Sequence, residues 1–383
     1  MSDRTALFTR ISDYLFASYR WGCMNSPGAL APKPLGLSID LLEYQRLNLP
    51  VYGAYCEIFG RNSRGTSLLD YPPIPVECFK CADMTSFVGD RCVAEFHSPE
   101  DADGKKAVHR FCDTGLMQRS QIYAFTLMIA RIMQPTTRVF SLLPSSRDDV
   151  HSQASFMVTS FVETIGGAGS GHFSQTEPGL DGLVTAIEKA SGDKVPVHLM
   201  GTPEQYHLLL DVMGNRSVTS DSWSCAMIVG AALHEPKSMA ELKDRLAQRI
   251  GINRRNIYGE FGMCELSSQG YEICGMNCTG DDPEEGLFIF PNWVKCLVFN
   301  PETMTPLLPG NRGRIAIFDL CSLDSAAFVL TEFEGELVTL PETLRSRVQG
   351  HPKYALKLGG RASEPIPEGC RDQWKSWAGR IAG

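Results

Sequence analysis

From Arg138 onward the chain alternates short apolar runs with amphipathic stretches, and that alternation narrows the folds open to it. Val139 to Leu143, Val195 to Met200 and Ala226 to Val229 are apolar runs of strand length. Between them, His151 to Glu163, Leu180 to Ala190 and Pro203 to Met213 carry helical spacing. The last has proline at its first position, where a missing N–H does no harm. Ser238 with Glu241 three residues on reads as a capping box. In the helix it opens, Met239, Leu242, Leu246 and Ile250 form one apolar face, and Gly251 ends it. Strands alternating with helices predict an α/β fold: a mostly parallel sheet with helices on both faces. Ligands on such sheets bind beyond the carboxyl ends of the strands.

Two segments fall at such ends. One is Gly230-Ala231-Ala232. The other is Asn256 to Glu272, NIYGEFGMCELSSQGYE, where rings, glycines and carboxylates crowd together. Gly259 and Gly262 permit tight turns and close approach to a ligand. Phe261 offers a flat face to a base, and stacking there is worth ~1–3 kcal/mol. Glu265 suits a magnesium ion riding on phosphate oxygens, because such ions take few protein carboxylates. The competing reading is a surface turn between a strand and a helix.

The rest of the chain is read more coarsely. Leu7, Ile11, Tyr14 and Leu15 sit at helical spacing near the N-terminus. Residues 20–55 read as irregular cover, and Asp70 to Pro75 as a break. Cys78 and Cys81 form a CxxC, but no second pair at zinc spacing accompanies it, so ordinary thiols compete with a metal site. Glu100 to Lys106 looks like an exposed polar loop. His109 to Ser120 reads either as a polar helix entry or, through Thr114, Gly115 and Ser120, as a phosphate-holding turn. GGAGSG at 166–171 follows a helix rather than a strand, which fits a connector better than a dinucleotide fingerprint. After residue 285, strand-like runs at Leu287 to Phe290, Val294 to Phe299, Arg314 to Leu320 and Ala327 to Leu330 suggest a smaller β-rich part. Leu356 to Arg361, LKLGGR, reads as a hinge.

The totals exclude some functions. A net charge of −8 over 383 residues argues against non-specific binding to nucleic acid or acidic membranes. Thirteen scattered cysteines, an odd number, fit a reduced cytoplasmic protein better than a disulfide scaffold. The longest apolar run, near Ile122 to Met133, is too short to span a bilayer.

Taken in order over residues 95–370, these segments resemble the adenylate-forming superfamily of acyl-CoA synthetases, peptide-synthetase adenylation domains and luciferases. Within it the chain looks most like the acyl-protein synthetases of bacterial luminescence, and it is similar to stand-alone adenylating enzymes of phenazine-type antibiotic pathways. Phe261-Gly262-Met263-Cys264-Glu265 matches the family's Tyr-Gly-x-Thr-Glu. The resemblance implies a ring on adenine, a residue at the α-phosphate and a glutamate on magnesium. It implies a phosphate loop at Asp113 to Ser120 and a glycine-rich wall at Gly230-Ala231-Ala232. Thr331 to Gly335 stands where the family grips ribose with an aspartate; here Phe333 holds that place, flanked by Glu332 and Glu334. Gly360-Arg361 matches the hinge arginine, and Gly369-Cys370 a pair whose cysteine accepts the acyl group. The implied domains are an adenylation domain over 1–355, divided near 285, and a hinge and short tail over 356–383 in place of the usual C-terminal domain.

The expected function is ATP- and Mg2+-dependent activation of a fatty or aromatic carboxylic acid, followed by transfer to a thiol. Expected partners are the acid and an acyl-acceptor protein or downstream reductase or transferase. The alternative is a binding protein of the same fold, since Leu116-Met117-Gln118, Phe333 and Cys264 depart from the family pattern.

Overall fold

The computed structural model describes residues 3–24, 34, 36–88, 91–101, 103–130, 133–174, 179–231, 234, 236–279, 285–348 and 350–362. Three helices open the chain: α1 (Arg4–Met24), α2 (Leu37–Asn48) and α3 (Pro50–Ile58). The two-residue strand β1 (Ile74–Pro75) follows, then a separate hairpin of β2 (Ala94–His97) and β3 (Val108–Phe111). Next come α4 (Gly115–Met128), β4 (Arg138–Ser141), α5 (Gln153–Thr164) and β5 (Gly171–His172). The alternation continues through α6 (Gly179–Gly192), β6 (Val197–Gly201), α7 (Pro203–Met213), β7 (Cys225–Ile228), α8 (Pro236–Ile250) and β8 (Ile257–Phe261). Strands then dominate: β9 (Gly270–Glu272), β10 (Leu287–Ile289), β11 (Val294–Phe299), β12 (Arg312–Asp319) and β13 (Phe328–Thr339), with α9 (Glu342–Arg345) before β14 (Tyr354–Arg361).

Strands β5, β4, β6, β7 and β8 lie side by side and run parallel. Both faces of this part are covered, which is why each strand is apolar at consecutive positions rather than at alternate ones. Val139, Met200, Met227 and Tyr258 pack with Phe125 of α4 and Phe161 of α5. Their neighbours Phe140, Leu199, Ala226 and Ile257 point the other way, onto Leu183 of α6, Leu209 of α7 and Leu246 of α8. At β8 the direction reverses. The path continues through antiparallel β9, β10, β14, β13, β12 and β11, and β1 pairs with β13. The strands after residue 285 therefore prolong the same sheet.

Three expectations about local structure give way. Residues 37–58 are helical: Leu41, Leu42, Tyr52 and Tyr55 are buried, and Pro50 is the first residue of α3. The proline and glycine residues that suggested irregular chain cluster at 27–36. Gln45 of α2 shows what the helix is for. Its amide donates to the Ser322 carbonyl at 2.6 Å and accepts the Ala327 N–H at 2.9 Å, satisfying buried backbone in the connection between β12 and β13. Ser238 does not open its helix, because α8 already begins at Pro236. The LKLGGR segment is strand rather than hinge, paired with β13 from Leu356 opposite Leu337 to Arg361 opposite Phe333.

Candidate functional site

A cavity of about 880 Å³ opens beyond the carboxyl ends of β7 and β8. Val229 and Gly230 after β7, and Glu260 with Gly262 to Leu266 at the end of β8, form its inner wall. The first turn of α5 adds Ser152 and Gln153. The outer wall is the β2–β3 loop, with His97, Glu100, Asp101 and Lys106, and Glu332, Phe333 and Arg361 close the third side.

The inner wall is tied down from behind. Gly230 takes φ +70°, a conformation that favours glycine, and its N–H donates to Glu260 Oε2 at 3.0 Å. A Cβ on Gly262 would lie 2.4 Å from Glu260 Oε1, so that position needs glycine to leave the carboxylate in place. His109 holds the loop after β8. Its Nδ1–H donates to the Cys264 carbonyl at 2.8 Å, and its Nε2 accepts from the Ser325 hydroxyl at 2.5 Å. Burial pushes the His109 pKa down to about 4, so the ring is neutral and this tautomer satisfies both nitrogens. Further on, the buried Asp319 accepts from the Ser267 and Ser268 N–H groups at 2.8 and 2.7 Å. Gln153 donates to the Leu266 carbonyl.

The electrostatics of the inner wall are unusual for a surface cleft. Glu260 and Glu265 are 2% and 6% exposed, and burial pushes each up to about 7. The Gly230 N–H opposes the shift at Glu260. At Glu265 its own backbone N–H opposes the shift, Glu332 and Glu77 add repulsion, and Lys80 partly offsets them. Near neutrality both carboxyls can take or lose a proton, as groups that meet a ligand's charge often do. The outer wall is held by ion pairs, Lys80 with Asp101 at 3.0 Å and Lys106 with Glu100 at 3.2 Å, and on the third side Arg361 pairs with Glu332 at 3.3 Å.

Of the residues singled out from sequence, Gly230, Gly262, Met263, Cys264, Glu265, Glu332 and Arg361 meet at this cavity. Phe261 does not. The side chains of β8 alternate, so Glu260 faces the cavity while the next ring turns away. Phe261 is fully buried, edge-on to Phe288, Phe290 and Phe333 at centroid distances of 6.3, 5.5 and 6.4 Å. It is a core residue and offers no face to a base. The expected phosphate turn is also misplaced. Gly115 opens α4, with its N–H donating to Asp113 at 2.7 Å, and neither it nor Thr114 borders the cavity. Ser120 is buried, accepting from the Trp293 N–H at 2.7 Å and lying 2.6 Å from the Ser268 hydroxyl. Its hydroxyl is consumed in joining α4 to the far strands. Glu334 pairs with Arg312 at 3.2 Å, and Ala231 packs in the core behind the inner wall. Ala232 and Cys370 lie outside the described residues. Cys81 donates to the Glu77 carbonyl at 3.2 Å, and no third metal-ligand side chain joins Cys78 and Cys81 among the described residues.

Glu260, Lys80 and His97 carry no signal in the sequence reading, Lys106 enters it only as the end of an exposed loop, and Phe333 only as a departure from the ribose-binding pattern. A signal existed for the loop. Gly104-Lys105-Lys106 sits at the bend of a hairpin whose strands alternate, and Gly104 takes φ +73°. The polarity of Glu100 to Lys106 was legible, but not its position over the strand ends, which depends on β2 packing beside α5.

No protein-family model matches the sequence, and no curated protein matches it. Solved structures do match in shape. A 2-hydroxyisobutyryl-CoA ligase in an open conformation, in complex with 2-HIB-AMP and CoA, aligns with a TM-score of 0.63 at 16% identity, over 86% of this chain and 70% of that one. The same ligase in its postadenylation state with 2-HIB-AMP gives 0.60 at 14% identity, over 90% and 74%. At these identities the likeness concerns the fold: the chain has the architecture of acyl-CoA ligases that form acyl-adenylates.

Proposed function

We propose that this chain activates a carboxylic acid with ATP, forming an acyl-adenylate and releasing pyrophosphate. The observation that carries the reading is Glu265, a buried carboxyl on the wall of a nucleotide-sized cavity at the strand ends of this fold. The ligases it resembles in shape hold 2-HIB-AMP, an acyl-adenylate, in their structures. A carboxylate oxygen of the substrate attacks the α-phosphorus of ATP, the bond to the β-phosphate oxygen breaks, and pyrophosphate leaves. No proton is needed, because both reactants are already anions. The protein's task is to hold opposed negative charges together in a site arranged in advance.

The residues present suit a magnesium ion. Glu265 is an oxygen donor, Glu77 and Glu332 lie close enough to raise its pKa, and magnesium asks for few protein ligands when phosphates supply the rest. When bound, the ion would neutralise phosphate charge. Lys80 and Lys106 supply positive charge on the opposite wall, and the Gly230 N–H, now held by Glu260, anchors the inner wall. In this reading Phe333 and the Met263 side chain border the adenosine in place of Phe261. The acyl group then passes to a thiol: the thiolate attacks the acyl carbon, a thioester forms and AMP leaves. Cys370 and CoA are the two candidate acceptors. Cys264 is not one, since burial raises its thiol well above the usual range. A fatty acid, as in acyl-protein synthetases, and an aromatic acid, as in phenazine-type pathways, are the two substrate classes to test.

A second reading is favoured by the outer wall. Glu100 and Asp101 place two carboxylates where a phosphate-holding loop would want N–H donors and cations, which suits a protein that keeps the fold and holds a ligand without turnover. Pyrophosphate exchange into ATP, run with a panel of fatty and aromatic acids, separates the two. Exchange with any acid establishes the ligase; nucleotide binding without exchange under every acid establishes the binder. Mass spectrometry of the chain after incubation with ATP and an active acid then reports whether Cys370 carries the thioester.

A further inference from the structure

Two side chains at the cavity rim, His97 and His151, and Glu95 beside them have no part in acid activation. Glu95 and His97 are two apart on β2 and so share one face of the hairpin, while Phe96 between them turns into an apolar cluster with Phe111 and Met117. His151, in the turn before α5, lies alongside. Its carbonyl accepts from the His97 N–H at 2.9 Å, and its ring Nδ1–H donates to the Glu95 carbonyl at 3.0 Å. The two imidazoles stack with centroids 4.3 Å apart and planes 5° from parallel. His97 Nε2 lies 2.6 Å from Glu95 Oε1, while Oε2 of the same carboxylate accepts from Arg110 Nε at 2.6 Å. One ligand atom from each of the three residues falls within 4.8 Å of the others, and no other group of three or more His, Cys, Asp or Glu side chains does so among the described residues.

We propose that Glu95, His97 and His151 form a binding site for a divalent transition-metal ion of the zinc class, on the rim of the cavity. Two imidazoles and one carboxylate are a donor set that zinc takes when it keeps a position open. The ligands come from two chain segments already joined by two hydrogen bonds, so binding asks only that the His97 ring turn out of its stack on His151 until the in-plane lone pairs converge. Outer contacts orient two of the three: Arg110 fixes the carboxylate, and the Glu95 carbonyl fixes the His151 ring in the tautomer that leaves Nε2 a lone pair. The metal takes the place of the proton between His97 Nε2 and Glu95 Oε1, and the neutral ring then carries its proton on Nδ1. His97 and His151 both border the cavity, so the open position faces it, where an oxyanion completes the coordination. The site is independent of whether the chain turns over ATP.

The test uses the full chain, stripped with chelator, and metal salts alone. Calorimetric titration with ZnCl2 should show one saturable site. His97→Ala with His151→Ala should abolish it, while thermal melting of the metal-free double variant should match the parent. The Co2+-loaded parent should show d–d absorption without a thiolate-to-cobalt charge-transfer band. The unmodified chain with one equivalent of Cu2+ should show nitrogen hyperfine structure by paramagnetic resonance, which needs no variant. No saturable binding, binding retained in the double variant, a thiolate band, or no nitrogen coupling would each overturn the site and leave an ordinary hydrogen-bonded His–Glu pair.

Discussion

The two walls of the cavity are built on opposite principles. The inner wall, at the ends of β7 and β8, is buried and over-determined: Glu260 is fixed by the Gly230 N–H, and the loop after β8 is held by His109, Asp319 and Gln153. The outer wall, the β2–β3 loop, is exposed and held by lysine–carboxylate pairs that water and salt can screen. In the first, a single substitution disturbs both packing and charge. In the second, it changes charge and little else. The inner wall therefore couples stability to function, and the outer wall separates them.

The sharpest way to break that contrast lies just behind the inner wall. Lys243 and Glu272 form a buried pair, with Nζ 2.8 Å from both carboxylate oxygens, and the Gly259 N–H also donates to Glu272 at 2.7 Å. Lys243→Met strands that carboxylate and should lower unfolding free energy by about 3–5 kcal/mol, read by chemical denaturation. A loss below about 1 kcal/mol would mean the inner wall is no better determined than a surface ion pair.

Next in size is Glu265. Glu265→Gln should reduce pyrophosphate exchange by about 10²-fold or more, the scale of removing one transition-state stabiliser. The same change should stabilise the fold, with a sign set by the pKa. Burial raises the folded-state value from 4.5 to about 7, so protonated Glu265 is the favoured folded form. Its favourable contribution is complete below the unfolded value and is lost as pH rises through about 7. The glutamine variant should therefore melt higher than the parent at about pH 8 and equally at about pH 4. Lower activity together with higher stability would mark Glu265 as kept for chemistry. Stability that falls at both pH values would reduce it to a packing residue.

Smaller effects test the residues that moved off the site. Ser120→Ala leaves the Trp293 N–H without its acceptor and should cost about 1–3 kcal/mol of stability. Phe261→Leu in its ring of phenylalanines should cost about 1 kcal/mol. In both, the KM for ATP should stay at the parent value. A raised KM would return these positions to the nucleotide.

What was legible follows the same division. The parallel half of the sheet could be read because its strands are covered on both faces and so are continuously apolar, and Pro203 and Gly251 punctuate their helices. Glu265 and Gly230 could be read because they follow strands, where this architecture places ligands. Phe261 misled because an aromatic ring beside a glycine carries no record of which face of β8 it occupies; Phe290, just after β10, and Phe333 of β13, which enclose it, arrive from farther along the chain. Thr114 to Ser120 misled because a polar helix entry and a phosphate turn have the same composition, and only the partners of Ser120 distinguish them. The β2–β3 loop was visible as a loop, but its placement over the cavity arises from long-range packing.

The most direct measurement compares the two segments that compete to hold phosphate. ATP binding to the full chain with Mg2+ should be titrated for the parent, Lys106→Ala and Thr114→Val. The cavity assignment predicts that Lys106→Ala weakens ATP binding by about tenfold, roughly 1.4 kcal/mol, and that Thr114→Val leaves it unchanged. Weakening by Thr114→Val with none from Lys106→Ala would contradict it and move the nucleotide to the start of α4.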